Sequence, residues 1–98
     1  MIQHVVLLNW KAGTTPEQIA RVTAGFNRLP GLIPEIKSYR YGPDLGLTPN
    51  GGADYALVAE FSNADDFAAY AMHADHIAVM QESIGDMLAS WKTVQFQL

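Results

Sequence analysis

The sequence predicts an α+β fold of the ferredoxin-like type, β-α-β-β-α-β, with a four-stranded antiparallel sheet. Three observations predict it. Four short segments have the apolar patterns of strands, two longer segments repeat apolar residues at helical spacing, and turn-forming residues separate them. The 98 residues suffice for one domain, 1–98, whereas two halves would each be too small to bury a core.

The first strand is expected over Ile2–Trp10, where both faces are largely apolar. The start of the first helix is marked by Thr15, which suits an N-cap, by Pro16 at the first helical position, and by Gln18 at the capping-box position. Apolar residues then recur at helical spacing. Pro30-Gly31 is expected to end this helix.

A second strand is expected over Ile36–Tyr41, and a third over Tyr55–Phe61. Between them, residues 42–54 are rich in turn formers, including Asn50-Gly51-Gly52, and predict a hairpin excursion. This glycine-rich stretch lacks the lysine and the strand–helix context of a phosphate-binding loop.

The second half of the chain predicts one long helix and a final strand. Asn63 is expected to cap a helix that runs from Ala64 to about Leu88, with acidic residues in its first turn. The fourth strand is expected over Trp91–Leu98.

The amino-acid composition indicates which kinds of partner the protein is expected to bind. The net charge is −4 and basic residues are scattered, which argues against nucleic acid and acidic membranes. The chain has no cysteine, and residues 1–8 have no basic n-region of the kind that begins a signal peptide, so we expect a cytoplasmic protein. Charged residues make up only 16% of the chain, against about 25% in typical soluble domains. We therefore expect a homodimer in which the bare sheet faces pack together and close an α+β barrel.

The candidate functional residues are Tyr70-x-x-His73-x-x-His76 and the strand residue His4, which together include all three histidines. Histidine changes charge near neutral pH, and a phenol beside it suits acid/base chemistry. A metal site of His4, His73 and His76 is disfavoured because no HExxH pattern occurs and only Asp75 offers a carboxylate nearby. No metal and no cofactor are expected.

The opening Ile2-Gln-His4-Val-Val-Leu-Leu-Asn-Trp-Lys, the later Ala-Glu60-Phe61-Ser-Asn-Ala-Asp-Asp-Phe, and above all Tyr70-x-x-His73-x-x-His76 resemble the stress-responsive A/B barrel (Dabb) domain family over nearly the whole chain. The resemblance implies a small dimeric α+β barrel. Its members include plant stress-associated proteins and a plant polyketide cyclase that closes a resorcinolic acid ring. By resemblance to that cyclase, Tyr70 and His76 correspond to its acid/base pair, and His4 to a histidine near its pocket.

One departure from the family pattern has a physical consequence. The family places proline directly after the first motif histidine, where this sequence has Ala74. On one unbroken helix, His76 would lie about 120° around the axis from Tyr70, so the two side chains would diverge. A break is needed for them to meet, and Asp75 is expected to cap a new helix beginning at His76.

Two functions remain open at this stage. In the first, the dimer binds a small apolar or aromatic molecule between sheet and helices, with His4 and His73 as binding residues, or the histidines simply organise the helix junction. In the second, it is a cofactor-free enzyme, cyclase-like or isomerase-like, in which Tyr70 and His76 are the catalytic residues that transfer protons. A cavity reached by both side chains would favour a ligand site.

Overall fold

In a computed structural model, which describes residues 1–49 and 51–98, the elements follow the order β-α-β-β-α-α-β. The bounds are β1 (Ile2–Trp10), α1 (Pro16–Leu32), β2 (Ser38–Pro43), β3 (Tyr55–Phe61), α2 (Ala64–Ala71), α3 (Ala74–Val79), a π-helical segment (Met80–Ile84) and β4 (Leu88–Gln97). The strands form one antiparallel sheet in the order β2-β3-β1-β4. The predicted ferredoxin-like α+β fold is confirmed.

The strand β1 lies between β3 and β4, and its alternate residues face opposite sides of the sheet. On the helix side, His4 and Leu8 are buried, together with Leu57 and Phe61 of β3. These residues share one core with the apolar stripe of α1, which includes Phe26. The sheet therefore has a covered face and a face without helices.

The face without helices, here called the open face, carries an apolar patch of Val5, Leu7, Val58, Val94 and Phe96. Val5 pairs directly with Val58 on one side and with Val94 on the other, so three valines form a row across three strands. Leu7 is 41% exposed and Val94 is 56% exposed. The apolar face without a cover, which the strand patterns led us to expect, is present in the described residues.

The predicted caps agree with the structure. The Thr15 hydroxyl accepts from the Gln18 backbone N–H at 3.2 Å, and the Gln18 side chain accepts from the Thr15 N–H at 2.8 Å, which completes the capping box. Asn63 caps α2 by accepting from the Asp66 N–H at 2.8 Å. These short polar contacts fix where each helix enters the layer above the sheet.

Three boundaries in the first half of the chain differ from the sequence prediction, namely the end of α1 and the two ends of β2. Helix α1 continues through Pro30 and Gly31 to Leu32, because a proline in the last turn removes only one backbone bond and the Ile33 N–H still reaches the Leu29 carbonyl at 2.9 Å. Strand β2 begins at Ser38 and ends at Pro43, two residues later than expected. In the excursion that follows, the predicted turn residue Asn50 lies outside the described residues.

The predicted long helix from Ala64 to Leu88 is wrong. It is divided into α2, α3 and the π-helical segment, and β4 already begins at Leu88 rather than at Trp91. The early start of β4 is supported by the pairing of Leu88 with Trp10 across a register shift in the β1–β4 ladder. Within the described residues, no helix has both the length and the apolar character needed to cross a membrane.

Gly25 sets the distance between α1 and the helices that follow α2. A Cβ atom at this position would lie 2.8 Å from Val79 Cγ1 and 3.0 Å from Ser83 Oγ. Gly31 lies in the same helix, and a Cβ there would meet nothing within 4 Å. The two glycines therefore offer matched sites for substitution in one helix, one crowded and one open.

We expect Gly25→Ala to lower the free energy of unfolding by about 1–3 kcal/mol, because the stiff Val79 side chain must move. Gly31→Ala should raise it by about 0.5–1 kcal/mol, since it removes backbone freedom from the unfolded chain without a clash. Urea denaturation of both variants measures the difference. Equal effects of the two substitutions would contradict the close approach of α1 to α3.

Candidate functional site

The site is created by a break between α2 and α3. Helix α2 ends at Ala71, Met72 is its C-cap, and His73 takes an extended conformation (φ −65°, ψ 135°). His73 then caps α3, because its Nδ1 accepts from the Asp75 backbone N–H at 3.1 Å. The break is present without a proline, but the prediction that Asp75 caps a helix beginning at His76 is wrong: His73 is the cap and α3 begins at Ala74.

The break brings Tyr70 and His76 together. Their ring centroids are 4.3 Å apart with an interplanar angle of 40°. On a continuous helix the two side chains would have pointed about 120° apart. Ala74 in place of the family proline therefore does not prevent their convergence, because the extended backbone of His73 redirects the chain.

A carbonyl at the end of α2 fixes the tautomer of His76. The last carbonyls of a helix have no partner within the helix, and His76 Nδ1 lies 3.1 Å from the carbonyl oxygen of Ala71. Because a carbonyl only accepts, Nδ1 carries the proton and donates it. In the neutral ring, Nε2 is then left with a free lone pair, which is the requirement for a base or a hydrogen-bond acceptor.

The environment holds His76 in the neutral form. Burial lowers its pKa below the ordinary value of histidine, the bond to the Ala71 carbonyl partly opposes this, and the nearby His73 lowers the pKa further. His76 is therefore unprotonated at neutral pH, when its Nε2 lone pair is available.

Tyr70, in contrast to His76, is held in its protonated form. It is 3% exposed, and its hydroxyl lies 2.7 Å from the hydroxyl of Tyr39. Burial raises the pKa of Tyr70 to about 12, an effect that the hydrogen bond from Tyr39 partly offsets. Burial and the neighbouring Tyr70 also raise the pKa of Tyr39 well above its ordinary value. Both phenols therefore keep their protons at neutral pH, so Tyr70 can act as a donor.

His4 approaches the same region from the sheet. It is 7% exposed, and its ring centroid lies 6.1 Å from that of Tyr70 and 4.9 Å from that of Phe67. Its Nδ1 lies 2.9 Å from Gln95 Nε2 on β4. Burial lowers the pKa of His4 to about 4, with a further contribution from His76, so this ring too is neutral at pH 7.

A cavity of about 40 Å³ connects these groups. Tyr70, His76 and His4 line it together with Val6, Leu8, Phe26, Leu57 and Met80. Three polar side chains thus converge on a void whose other walls are apolar. The volume has room for water but is an order of magnitude below that of an ordinary ligand pocket of about 300–1,000 Å³.

His73 is not among the residues that line this cavity. Its Nδ1 lies 3.6 Å from the Asp75 carboxylate, at the surface side of the break, and its observed contact is the cap of α3. His73 directly follows the C-cap of α2 and is the N-cap of α3, so it lies at the junction of the two helices. Among residues 1–49 and 51–98, no group of three or more His, Cys, Asp or Glu side chains is arranged to hold a metal ion.

A much larger concave surface lies elsewhere in the described part of the chain. It is an apolar groove of about 530 Å³ beside α1 and the end of β2, lined by Pro16, Ile19, Ala20, Thr23, Ala24, Asn27 and Pro43. None of these side chains titrates. We place the candidate site at the smaller cavity because acid, base and donor groups converge only there among the described concave surfaces.

Three residues that contribute to the site were not among the site residues predicted from the sequence. Tyr39 was noted only as a strand residue, yet it is the hydrogen-bond partner of Tyr70. Gln95 and Thr93 were not considered, although polar residues at alternate positions of a final strand are an unusual choice for a face that should be apolar. That irregularity was the available signal.

Comparison with known proteins agrees with this architecture. The family model described as the stress responsive A/B barrel domain matches residues 2–98. The chain belongs to this family. Among curated proteins, the Dabb chain is 25% identical over 87 residues to the stress-response A/B barrel domain-containing protein HS1 of Arabidopsis thaliana, a match that covers 88% of this chain and 80% of that protein.

Solved structures share the fold of this Dabb domain. A dimeric ferredoxin-like protein of unknown function from Thermobifida fusca is 42% identical, with a TM-score of 0.90 over 99% of this chain and 90% of the other. A hydroxynitrile lyase from Passiflora edulis has a TM-score of 0.84 at 20% identity, covering 99% of this chain and 92% of the lyase, which shows a common fold only.

The two histidines that line the cavity of the Dabb domain predict how its stability depends on pH. Their folded-state pKa values lie below 6.5, so the folded protein binds fewer protons than the unfolded chain in acid. The contribution of His4 is complete above pH 6.5 and is lost as the pH falls through about 4, by up to about 3 kcal/mol, and His76 adds to the loss because its pKa is lowered too. Urea denaturation at pH 7.5 and pH 4.5 should show this loss.

His4→Gln is the control, because it removes one of the two titrating rings while the carboxyl groups remain. The decrease in unfolding free energy between pH 7.5 and pH 4.5 should be smaller in this variant than in the wild type. The same decrease in both proteins would show that His4 titrates normally in the folded state.

Proposed function

We propose that this protein is a homodimer that binds a small, neutral, apolar or aromatic molecule bearing an oxygen function in the cavity between sheet and helices. The observation that carries the proposal is the convergence of Tyr70, His76 and His4 on one otherwise apolar cavity. Each of the three side chains has a hydrogen-bond partner outside the cavity, and a void nevertheless remains between them. Side chains that only specified the fold would be expected to leave no such void.

The ligand is inferred to be neutral because the cavity offers no charge. Both histidines that line it are neutral at pH 7, and Tyr70 keeps its proton. A carboxylate or a phosphate would lose its hydration here without gaining a cation. A ketone, an aldehyde or a phenol would gain a donor and an acceptor at modest desolvation cost.

Entry of such a ligand requires the cavity to grow. Met80 is the adaptable wall, because its unbranched side chain has several rotatable bonds and it opens the π-helical segment. A π-helical turn is a common feature of functional sites, where it redirects one side chain relative to a regular helix. Outward rotation of Met80 would enlarge the space beside Tyr70 and His76.

The homodimer is supported by the open face. Its patch of Val5, Leu7, Val58, Val94 and Phe96 is unlike the solvated face of an ordinary antiparallel sheet. The Thermobifida fusca protein, at 42% identity, is itself dimeric. A second copy whose open face packs against this one would bury the patch and close the expected barrel.

A second candidate function, a cofactor-free enzyme that moves protons, is favoured by the protonation states of the pair. His76 Nε2 has a free lone pair and Tyr70 carries a proton, so base and acid lie side by side. With a ketone bound between them, His76 would take a proton from the carbon next to the carbonyl as that C–H bond breaks. Tyr70 would give its proton to the carbonyl oxygen, which yields the enol.

Acetophenone is a suitable probe, being neutral and aromatic with one carbonyl. We expect it to shift the NMR signals of His4 and His76 on binding, and we expect Met80→Ala to bind it at least several-fold more tightly because the cavity is larger. Met80→Ala should also lower the free energy of unfolding by about 2 kcal/mol. Met72→Ala, at an exposed methionine outside the cavity, is the matched control and should change neither property.

Failure of acetophenone to shift either histidine in both the wild type and Met80→Ala would contradict the binding proposal. The same sample in D₂O separates the two functions. Deuterium incorporation into the acetophenone methyl group that depends on Tyr70 and His76, and is unaffected by Tyr41→Phe, would support the enzyme. Binding without incorporation would support the binding protein.

The dimer is tested by Val94→Glu, which puts a charge into the patch on the open face. We expect the wild type to sediment as a dimer and Val94→Glu as a monomer, because a buried unpaired carboxylate opposes association. Ala20→Lys places a charge in the apolar groove of α1 instead and should leave the dimer intact. Dissociation by Ala20→Lys alone would place the interface on α1 and contradict the proposal.

A further inference from the structure

Strand β4 reaches the site through two side chains, those of Gln95 and Thr93, which both lie beside His4. In the β1–β4 ladder Gln95 lies directly opposite His4, and Thr93 lies opposite Val6, so both side chains share the face on which His4 stands. Gln95 Nε2 lies 2.9 Å from His4 Nδ1 and donates to Thr93 Oγ1 at 2.8 Å. Thr93 Oγ1 lies 3.5 Å from the same His4 nitrogen.

These contacts determine which nitrogen of His4 carries the proton. A side-chain amide nitrogen has two hydrogens and only donates. One hydrogen serves Thr93 and the other points to His4, so His4 Nδ1 is the acceptor. A neutral imidazole that accepts at Nδ1 has its proton on Nε2.

We infer that Gln95 is a positioning residue that fixes His4 as the Nε2–H tautomer, so that His4 serves as a hydrogen-bond donor to an oxygen atom of the ligand. The role of the ligand rests on the proposed function, whereas the tautomer does not. Gln95 contributes no group to the cavity lining itself and acts through His4.

The two histidines then have complementary roles. The Ala71 carbonyl leaves His76 with an acceptor at Nε2, and the Gln95 amide leaves His4 with a donor at Nε2. The pair suits a molecule with an acceptor oxygen and an acidic hydrogen a short distance apart. A ketone with hydrogens on the neighbouring carbon has this pattern, and so does a phenol.

The decisive measurement is the protonation of the two His4 ring nitrogens, read from long-range ¹H–¹⁵N correlation spectra at pH 7. In the wild type we expect a protonated Nε2 and an unprotonated Nδ1. A protonated Nδ1 in the wild type would overturn the inference outright, because it requires the Gln95 amide to present its oxygen to His4.

Gln95→Glu inverts the hydrogen bond, since a carboxylate only accepts. We expect the proton of His4 to move to Nδ1, and we expect the pKa of His4 to rise by at least one unit because a negative charge has been placed beside it. Gln95→Met removes the donor at similar length and should give a mixture of tautomers. It also serves as the second variant if Gln95→Glu folds poorly. Unchanged His4 spectra in both would overturn the inference.

Gln97→Glu is the matched control. Gln97 has the same side chain on the same face of β4, but its amide donates to the Met1 carbonyl at 2.8 Å instead of to His4. The His4 tautomer should be unaffected by this change. An equal change of tautomer in Gln97→Glu would mean that any charge on β4 shifts His4, and would overturn the specific role of Gln95.

The ligand arm uses acetophenone with Gln95→Glu and Gln97→Glu. Its affinity should fall about tenfold in the first and stay unchanged in the second, because only the first removes the donor at His4 Nε2. If the wild type binds no acetophenone yet shows the expected tautomer, the proposed function fails and the role of Gln95 stands. If it binds acetophenone with Nδ1 of His4 protonated, the role of Gln95 fails and the proposed function stands.

Discussion

The site depends on how the chain satisfies one backbone carbonyl, that of Ala71. Ending α2 there deprives the carbonyl of a helical partner, and His76 supplies one from the next helix. The same hydrogen bond holds His76 beside Tyr70 and dictates the tautomer of its ring. A local defect in a helix is thereby converted into a defined pair of acid and base.

The aromatic residues around Tyr70 and His76 determine the protonation states of the site. Tyr70 contacts the rings of Phe61, Phe67, His4 and Tyr39, so the polar atoms of the site lie within a layer of aromatic rings. Burial disfavours charge on every one of them, lowering the pKa of the histidines and raising that of the phenols. The site is therefore neutral throughout. Its hydrogen bonds, rather than charges, determine which atoms donate and which accept.

Much of the fold could be predicted because it depends on residues that are close together in the sequence. The capping box at Thr15, the cap at Asn63 and the bounds of β1 and β3 all follow from residues within a few positions of one another. The sequence predicted that the helix must break near His73, but it did not predict that His73 itself caps α3. Histidine rarely serves as an N-cap, and Asp75 has the stronger preference for that position. Pro30 was predicted to end α1, but the helix continues to Leu32. A proline in the last turn removes only one backbone hydrogen bond, so it need not end the helix there.

The parts of the site that escaped prediction depend on contacts between distant residues. The pairing of Tyr39 with Tyr70 spans 31 positions and that of His4 with Gln95 spans 91, and no local pattern specifies either. The first requires knowing how α2 crosses the sheet. The second requires the register of β4 on β1, which the irregularity at Asn9 and Trp10 helps to set.

That register is set by which side chains suit each face of the sheet. Along β4, Val94 and Phe96 face the open side, while Thr93 and Gln95 lie on the side of the helices, in strict alternation. A slip of β4 by one residue would exchange the two sets, so that an apolar side chain met His4 and an amide lay in the apolar patch, whereas a slip of two would keep each set on its own side. An extra residue in the turn before Leu88 is therefore expected to lengthen the turn and to leave the strand where it is.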